Sequence, residues 1–162
     1  MAFADVPAPI GYGQTISQPT TVAMMLEWLD AQPGGKVLDV GSGSGWTTAL
    51  LSDIIGPKGK VYAVERIPEL VEFGRDNCEK AGIKNASFHK ASEEYGLPGY
   101  APYDRILVSA SADKVPDELL GQLKSGGKLV LPVYDSIFEI SRHPDNKTEA
   151  IEHPGFVFVP LL

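Results

Sequence analysis

Apolar residues along this chain switch repeatedly between helical spacing and continuous runs. Val22, Met25, Leu26 and Leu29 recur at helical spacing and predict a helix over about residues 20–31. A mostly apolar run at 36–41 follows and reads as a buried strand. Trp46, Ala49, Leu50 and Ile54 return to helical spacing, and a second strand falls at 60–65. A helix from about Pro68 to Ala81 stops at Gly82, a good C′ glycine, before a short strand near Ala86 to His89. Tyr103 to Val108 predicts a fourth strand, residues 116–123 a helix, and Lys128 to Val133 a fifth strand. Asp117 and Glu118 belong in that helix's first turn, where negative charge is favoured.

Glycine and proline mark the boundaries. Pro7, Pro9, Gly11, Gly13 and Pro19 make residues 1–19 an irregular arm, with Ser17 or Thr20 as candidate cap of the first helix. Pro33-Gly34-Gly35 ends that helix, and residues 91–102 read as a loop. Apolar runs near 136–141 and 155–160 bracket the polar turn Pro144-Asp145-Asn146-Lys147 and predict an antiparallel hairpin. Strands alternating with helices, then a hairpin, predict an α/β fold in one domain over 1–162. Its mostly parallel, doubly wound sheet would carry helices on both faces. Ligands of such sheets bind at the carboxyl ends of the strands, beside the switch point. Gly41–Gly45, Glu65, the loop after His89 and the loop after Val108 should therefore converge.

The first strand ends in Val37-Leu38-Asp39-Val40-Gly41-Ser42-Gly43-Ser44-Gly45-Trp46. Glycines at alternate positions between a strand and a helix suit a ligand lying against bare backbone, near unpaired helix N–H groups. A dinucleotide fingerprint wants G-x-G-x-x-G, but Trp46 stands where its third glycine belongs. G-x-G-x-G is the form typical of S-adenosylmethionine enzymes, which have no pyrophosphate to cradle. Glu65, about twenty residues beyond the turn, can accept hydrogen bonds from both ribose hydroxyls.

Composition narrows the partners. The chain has 162 residues, 43% of them hydrophobic, and a net charge of −7 without a Lys/Arg cluster. That balance suits neither a phosphate backbone nor an anionic membrane, so no nucleic-acid partner is expected. No stretch approaches the roughly 18 apolar residues of a membrane span, and the start lacks a basic leader pattern. Cys78 is the only cysteine and lies in a helical pattern, so a buried thiol and a cytoplasmic setting are expected. His89, His143 and His153 show no ligand spacing, and no metal is expected. Tyr12, Trp46, Tyr62 and Tyr95 are candidates to stack on a base or line a cleft.

Pro9-Ile10-Gly11-Tyr12-Gly13-Gln14-Thr15-Ile16-Ser17-Gln18-Pro19 resembles the signature arm of protein-L-isoaspartate O-methyltransferases. Val37 to Trp46, Val61 to Leu70, Ala101-Pro102-Tyr103-Asp104, Leu119 to Gly127, Leu129 to Val133 and Phe158 to Leu161 resemble that family in the same order. The resemblance implies a Rossmann-like, S-adenosylmethionine-dependent methyltransferase fold. It implies methyl transfer to the free α-carboxylate of isoaspartyl residues in damaged proteins, with S-adenosylhomocysteine as product. On the matching positions, Ser17 would be the catalytic hydroxyl, and Gln14, Thr15 and Ile16 would line the same cleft. Gly41, Ser42, Gly43 and Gly45 would contact methionine and ribose, with Glu65 and Arg66 on the ribose hydroxyls.

Three departures stand out. The family's Gly-Asp-Gly loop is replaced by Ala91-Ser92-Glu93, so Ser92 and Glu93, or Glu94, become the candidates on the adenine side. Helices that usually precede the arm, and contacts that usually follow the closing motif, are not expected here. A more open cleft is therefore expected, and self-association through an apolar patch is one expectation. Two other readings remain: a methyltransferase acting on another carboxylate or small molecule, and a non-catalytic S-adenosylmethionine-binding subunit.

Overall fold

A computed structural model describes residues 4–161; residues 1–3 of the arm and Leu162 lie outside the described residues. The arm is not wholly irregular. It holds a two-stranded hairpin, β1 (Ala8–Gly11) and β2 (Gln14–Ile16). Tyr12 and Gly13 turn it with φ of 56° and 72°. Positive φ at both central residues matches the twist of a tight hairpin. The glycines that read as loop punctuation are therefore hairpin chemistry.

Helix α1 (Pro19–Leu29) begins at a proline and has no cap from its own first residues. Asp5 caps it from across the arm instead. Its carboxylate accepts the Thr20 N–H at 2.8 Å and the Thr20 hydroxyl at 2.6 Å. Neither Ser17 nor Thr20 is the cap, because Gln18 holds the N-cap position and Asp5 satisfies the free donors. At the other end Asp30 adopts the left-handed conformation and closes the helix before Pro33.

The main sheet has seven strands: β3 (Lys36–Val40), β4 (Lys60–Glu65), β5 (Ala86–Lys90), β6 (Tyr103–Val108), β7 (Leu123–Val133), β8 (Ser136–Arg142) and β9 (Thr148–Pro154). Their spatial order is β5-β4-β3-β6-β7-β8-β9, parallel through β7 and antiparallel beyond it. The chain steps outward from β3 to β4 and β5, then returns to the other side of β3 with β6. The switch point thus lies between β3 and β6. Crossovers are α2 (Trp46–Ile55), α3 (Pro68–Lys80), the segment around the 3-10 turn Pro98–Tyr100, and α4 (Asp117–Gly121).

Alternate residues of the central strands face two cores. Val37, Val61, Leu107 and Val130 pack beneath Met25 and Leu29 of α1 and Leu51 and Ile55 of α2. Ala63 meets Val71 and Cys78 of α3 on the same side. Leu38, Val40, Val64, Ile106, Val108, Leu129 and Leu131 face the opposite core, covered by Leu119 of α4 and by Tyr95, Leu97 and Ala101. Cys78 is buried, its thiol donating to the Gly45 carbonyl at 3.4 Å.

Three boundaries differ from the pattern-based expectation: β7 begins at Leu123, which pairs with Tyr103, rather than at Lys128, and two others lie at the helix before it and at the terminal hairpin. The helix after Pro116 stops at Gly121 because Gln122 turns inward. Its amide donates to the Tyr95 carbonyl at 2.8 Å and accepts the Leu97 N–H at 2.9 Å. The terminal hairpin pairs β8 with Thr148–Pro154, not with 155–160. Strand β9 is an exposed edge carrying Glu149 and Glu152, so it shows no apolar signal. The apolar run after it instead packs Phe156 and Phe158 against the α1 side of the core. No helix among the described residues is long and apolar enough to cross a membrane.

Candidate active site

Chain geometry at the end of β3 builds the centre of the site. Gly41 and Ser42 donate their N–H groups to the Val64 carbonyl at 2.9 and 3.2 Å, tying the turn to β4. Glu65 completes the tie. Its carboxylate accepts N–H groups of Gly43 at 3.0 Å, Arg66 at 2.8 Å and Ile67 at 3.1 Å. A carboxylate offers about four acceptor sites, so capacity remains for a ligand hydroxyl. Gly43 and Gly45 are required for different reasons. At Gly43, with φ +51°, a Cβ would lie 3.0 Å from Ile10 of the hairpin, so the arm rests directly on the turn. At Gly45, with φ +83°, a Cβ would lie 2.8 Å from the Gly74 carbonyl oxygen and 3.2 Å from the Cys78 thiol. Gly45 lets α3 approach α2 closely.

A cleft of about 680 Å³ opens at the carboxyl ends of β3, β4, β5 and β6. This is within the roughly 300–1,000 Å³ usual for small-molecule sites. Gly41, Gly43, Glu65, Arg66, Ser92 and Glu93 all line it, as do Gln14 and Thr15 of the hairpin. A smaller cavity of about 30 Å³ adjoins it, sharing Ile10, Thr15, Gly41, Gly43 and Ser109. Ile16, Ser17 and Ser42 line this second space, together with Ser44, Trp46 and Thr47. Gly45 lines neither. Of the aromatic candidates, Tyr95 lines the cleft and Trp46 the small cavity. Tyr62 packs against Tyr100 and Tyr103, with ring centroids 4.7 and 5.9 Å away, and lines neither space. Ser92 turns its hydroxyl toward the Glu94 carbonyl at 3.5 Å, within its own loop.

Several lining residues were not among the individual cofactor-binding candidates, although the loop after Val108 was expected at the site and Phe158 to Leu161 belongs to the resemblance. Lys90 adds a cation beside Arg66; Ser109 and Ala110 follow β6; Val159, Pro160 and Leu161 close the cleft from the chain's far end. Hydrogen bonds from the Ser111 N–H to Val159 O and from the Leu161 N–H to Ser111 O, both 2.7 Å, hold that tail in place.

Asp39 is the other feature that apolar patterning concealed. It is fully buried within β3 and accepts the hydroxyls of Thr47 at 2.9 Å and Thr48 at 2.7 Å through Oδ2. Oδ1 has no hydrogen-bond partner. Burial pushes the carboxyl up to about 6, against the two threonine hydroxyls that favour its ionised form, and nearby Glu65 adds to the rise. Asp39 therefore fixes the start of α2 at the cost of a desolvated carboxylate. The signal was present as a single acid inside an apolar strand run.

Glycine backbone open to the cleft, an acidic residue ending the next strand and a polar loop after β5 fit an adenosine-bearing ligand, with Glu65 ready for hydroxyl donors. Fold and site together define the Rossmann-like class of S-adenosylmethionine-dependent methyltransferases. A family model described as Protein-L-isoaspartate(D-aspartate) O-methyltransferase (PCMT) matches residues 1–162. The chain belongs to that family. It is similar to the protein-L-isoaspartate O-methyltransferase of Pyrococcus horikoshii, with 46% identity across 99% of this chain and 74% of that protein. A solved protein-L-isoaspartate O-methyltransferase superposes with a TM-score of 0.88 and 29% identity, over 98% of this chain and 53% of that one. This chain thus spans about half the length of that structure. A Plasmodium falciparum structure described as a putative member, in complex with S-adenosyl-L-homocysteine, gives a TM-score of 0.85 and 27% identity, over 100% of this chain and 82% of that one.

Proposed function

We propose that this chain methylates the free α-carboxylate of isoaspartyl residues in damaged proteins, forming a methyl ester. The observation that carries the reading is the character of the small cavity around Ser17. It is lined by Ser17, Thr15, Ser42, Ser44, Thr47 and Ser109 among apolar residues, and by no titratable side chain. An acceptor carboxylate is already ionised at neutral pH, so the transfer calls for positioning rather than for a base. Hydroxyls can orient such a carboxylate by hydrogen bonding without competing for its charge.

S-adenosylmethionine, when bound, supplies the methyl group from its sulfonium. Glu65 accepts the ribose hydroxyls with the capacity its backbone bonds leave free. The Ser92–Tyr95 loop faces the base, and Gly41 and Gly43 admit the methionine portion against bare backbone. Ser17 orients the acceptor carboxylate, and Thr15 and Ile16 hold the hairpin wall beside it. Arg66 and Lys90 place two cations at the cleft of a chain whose net charge is −7, easing entry of an anionic acceptor.

Methyl transfer from labelled S-adenosylmethionine to matched peptides, one isoaspartyl and one aspartyl, tests this reading. Incorporation into the isoaspartyl peptide alone is expected. Equal incorporation into both, or none with cofactor bound, would require another acceptor.

A further inference from the structure

Four residues other than glycine have positive φ among the described residues: Tyr12, Asp30, Tyr134 and Asn146. Asp and Asn are the types that tolerate this conformation, whereas a tyrosine there is an outlier that calls for a reason. The two tyrosines share three further properties. Each occupies a two-residue hairpin turn, Tyr12-Gly13 between β1 and β2 and Tyr134-Asp135 between β7 and β8. Each stands where such turns ordinarily take glycine or asparagine, with φ of 56° and 53°. Each residue is mostly exposed, 60% and 66%, so core packing does not account for either.

Both turns also border the active site. Tyr12 lies between Ile10 and Gln14, and those two residues line the cleft. Tyr134 follows the carboxyl end of β7, on the edge of the sheet where the site is built. Its carbonyl accepts the Ser111 hydroxyl at 3.1 Å and its N–H donates to the Ala112 carbonyl at 3.3 Å. The same Ser111 backbone holds Val159 and Leu161 in the cleft wall. An exposed tyrosine thus marks the arm side and the β7 side of the site.

We infer that Tyr12 and Tyr134 are specificity-determining contacts for the acceptor polypeptide, gripping the residues that flank the modified side chain. The inference rests on the isoaspartyl reading above. An acceptor that is one residue of a polypeptide can send only its carboxylate into the small cavity beside Ser17. Its neighbours must cross the rim. Tyrosine suits such a rim because it presents broad apolar area and a polar tip with few rotatable bonds, and so binds varied sequences at low entropic cost. A rim of this kind recognises a flexible segment around the damaged residue rather than one particular sequence.

The test uses substitutions that relieve the backbone rather than strain it. Tyr12→Gly and Tyr134→Gly keep turn residues suited to positive φ while removing the rings, so melting temperatures at or above wild type are expected. Steady-state kinetics on an isoaspartyl peptide and calorimetry of S-adenosylmethionine are then compared with wild type. Each variant should raise the peptide KM by roughly five- to thirtyfold, the scale of one lost interfacial aromatic, with cofactor affinity changed less than about twofold. Tyr134→Phe should recover most of the KM. An unchanged peptide KM in both folded variants, alongside normal wild-type transfer, would overturn the rim and leave the isoaspartyl reading standing. A wild-type protein that binds cofactor but transfers nothing to the isoaspartyl peptide would overturn both.

Discussion

The cofactor side and the acceptor side of this site are built from different materials. On the cofactor side, the turn after β3 is pinned by Val64 and Glu65, braced by buried Asp39, and packed against α3 at Gly45. Every link is tied to the parallel strands and the glycine spacing of the turn between them. On the acceptor side, a small hairpin rests on that turn through Ile10 and is held to α1 by Asp5. The tail at Val159–Leu161 is held by Ser111. These are attachments made by segments outside the main sheet. On the function proposed above, the sheet edge holds the methyl donor, while the arm and the tail frame the acceptor.

The two sides should respond separately to substitution. The largest effect is expected for Glu65→Ala, which removes the proposed ribose acceptor and frees the Gly43, Arg66 and Ile67 N–H groups. S-adenosylmethionine binding should weaken by roughly 1.5–3 kcal/mol, the scale of hydrogen bonds to a charged group, as read by calorimetry. Unchanged affinity would remove Glu65 from the ribose.

Asp39 tests the frame beneath that side. Because burial raises its carboxyl to about 6, the folded protein holds this proton more tightly than the unfolded chain does. The resulting stability is full below the ordinary carboxylate range and is lost as pH rises through about 6. Asp39→Asn keeps an acceptor for Thr47 and Thr48 without the charge. Between pH 4 and pH 7 its stability relative to wild type should shift in its favour by about 2–3 kcal/mol. Denaturant titrations giving a pH-independent difference would show that Asp39 does not titrate as the buried geometry implies.

Gly45→Ala should destabilise the fold by about 1–3 kcal/mol, through overpacking against Gly74 and Cys78 and a positive φ. The melting temperature would fall by roughly 2–4 °C per kcal/mol. A neutral result would mean that α3 yields, making the cofactor side softer than described. The smallest effect should come from Asp5→Ala, which detaches the arm from α1. Thr20 holds the Asp5 carboxyl below its usual range, so this attachment persists through neutral pH and fails only under acid conditions. Limited proteolysis should cut the variant's arm at neutral pH and the wild-type arm only in acid, with the body of the domain intact in both.

The same contrast explains what could be read from the sequence. Strands β3 to β6 and helices α1 to α3 were legible because burial on both faces of a parallel sheet leaves short, apolar-rich runs between helical stripes. The convergence of Gly41, Glu65, Ser92 and the segment after Val108 followed from parallel topology alone. Strand β9 was not legible, because an exposed edge bearing Glu149 and Glu152 carries no periodic burial. The β1–β2 hairpin was hidden because Gly11 and Gly13 signal irregularity and a tight turn equally well. Long-range partners such as Asp5 with Thr20, or Ser111 with Val159 and Leu161, have no local signature at all.

The separation of the two sides is tested most directly by measuring cofactor affinity and isoaspartyl-peptide turnover on Glu65→Ala and Ser17→Ala together. A crossed pattern is predicted: Glu65→Ala loses cofactor affinity, while Ser17→Ala loses kcat with affinity nearly intact. Parallel losses of both quantities in both variants would contradict it, and would mean that hairpin and glycine turn form one inseparable site.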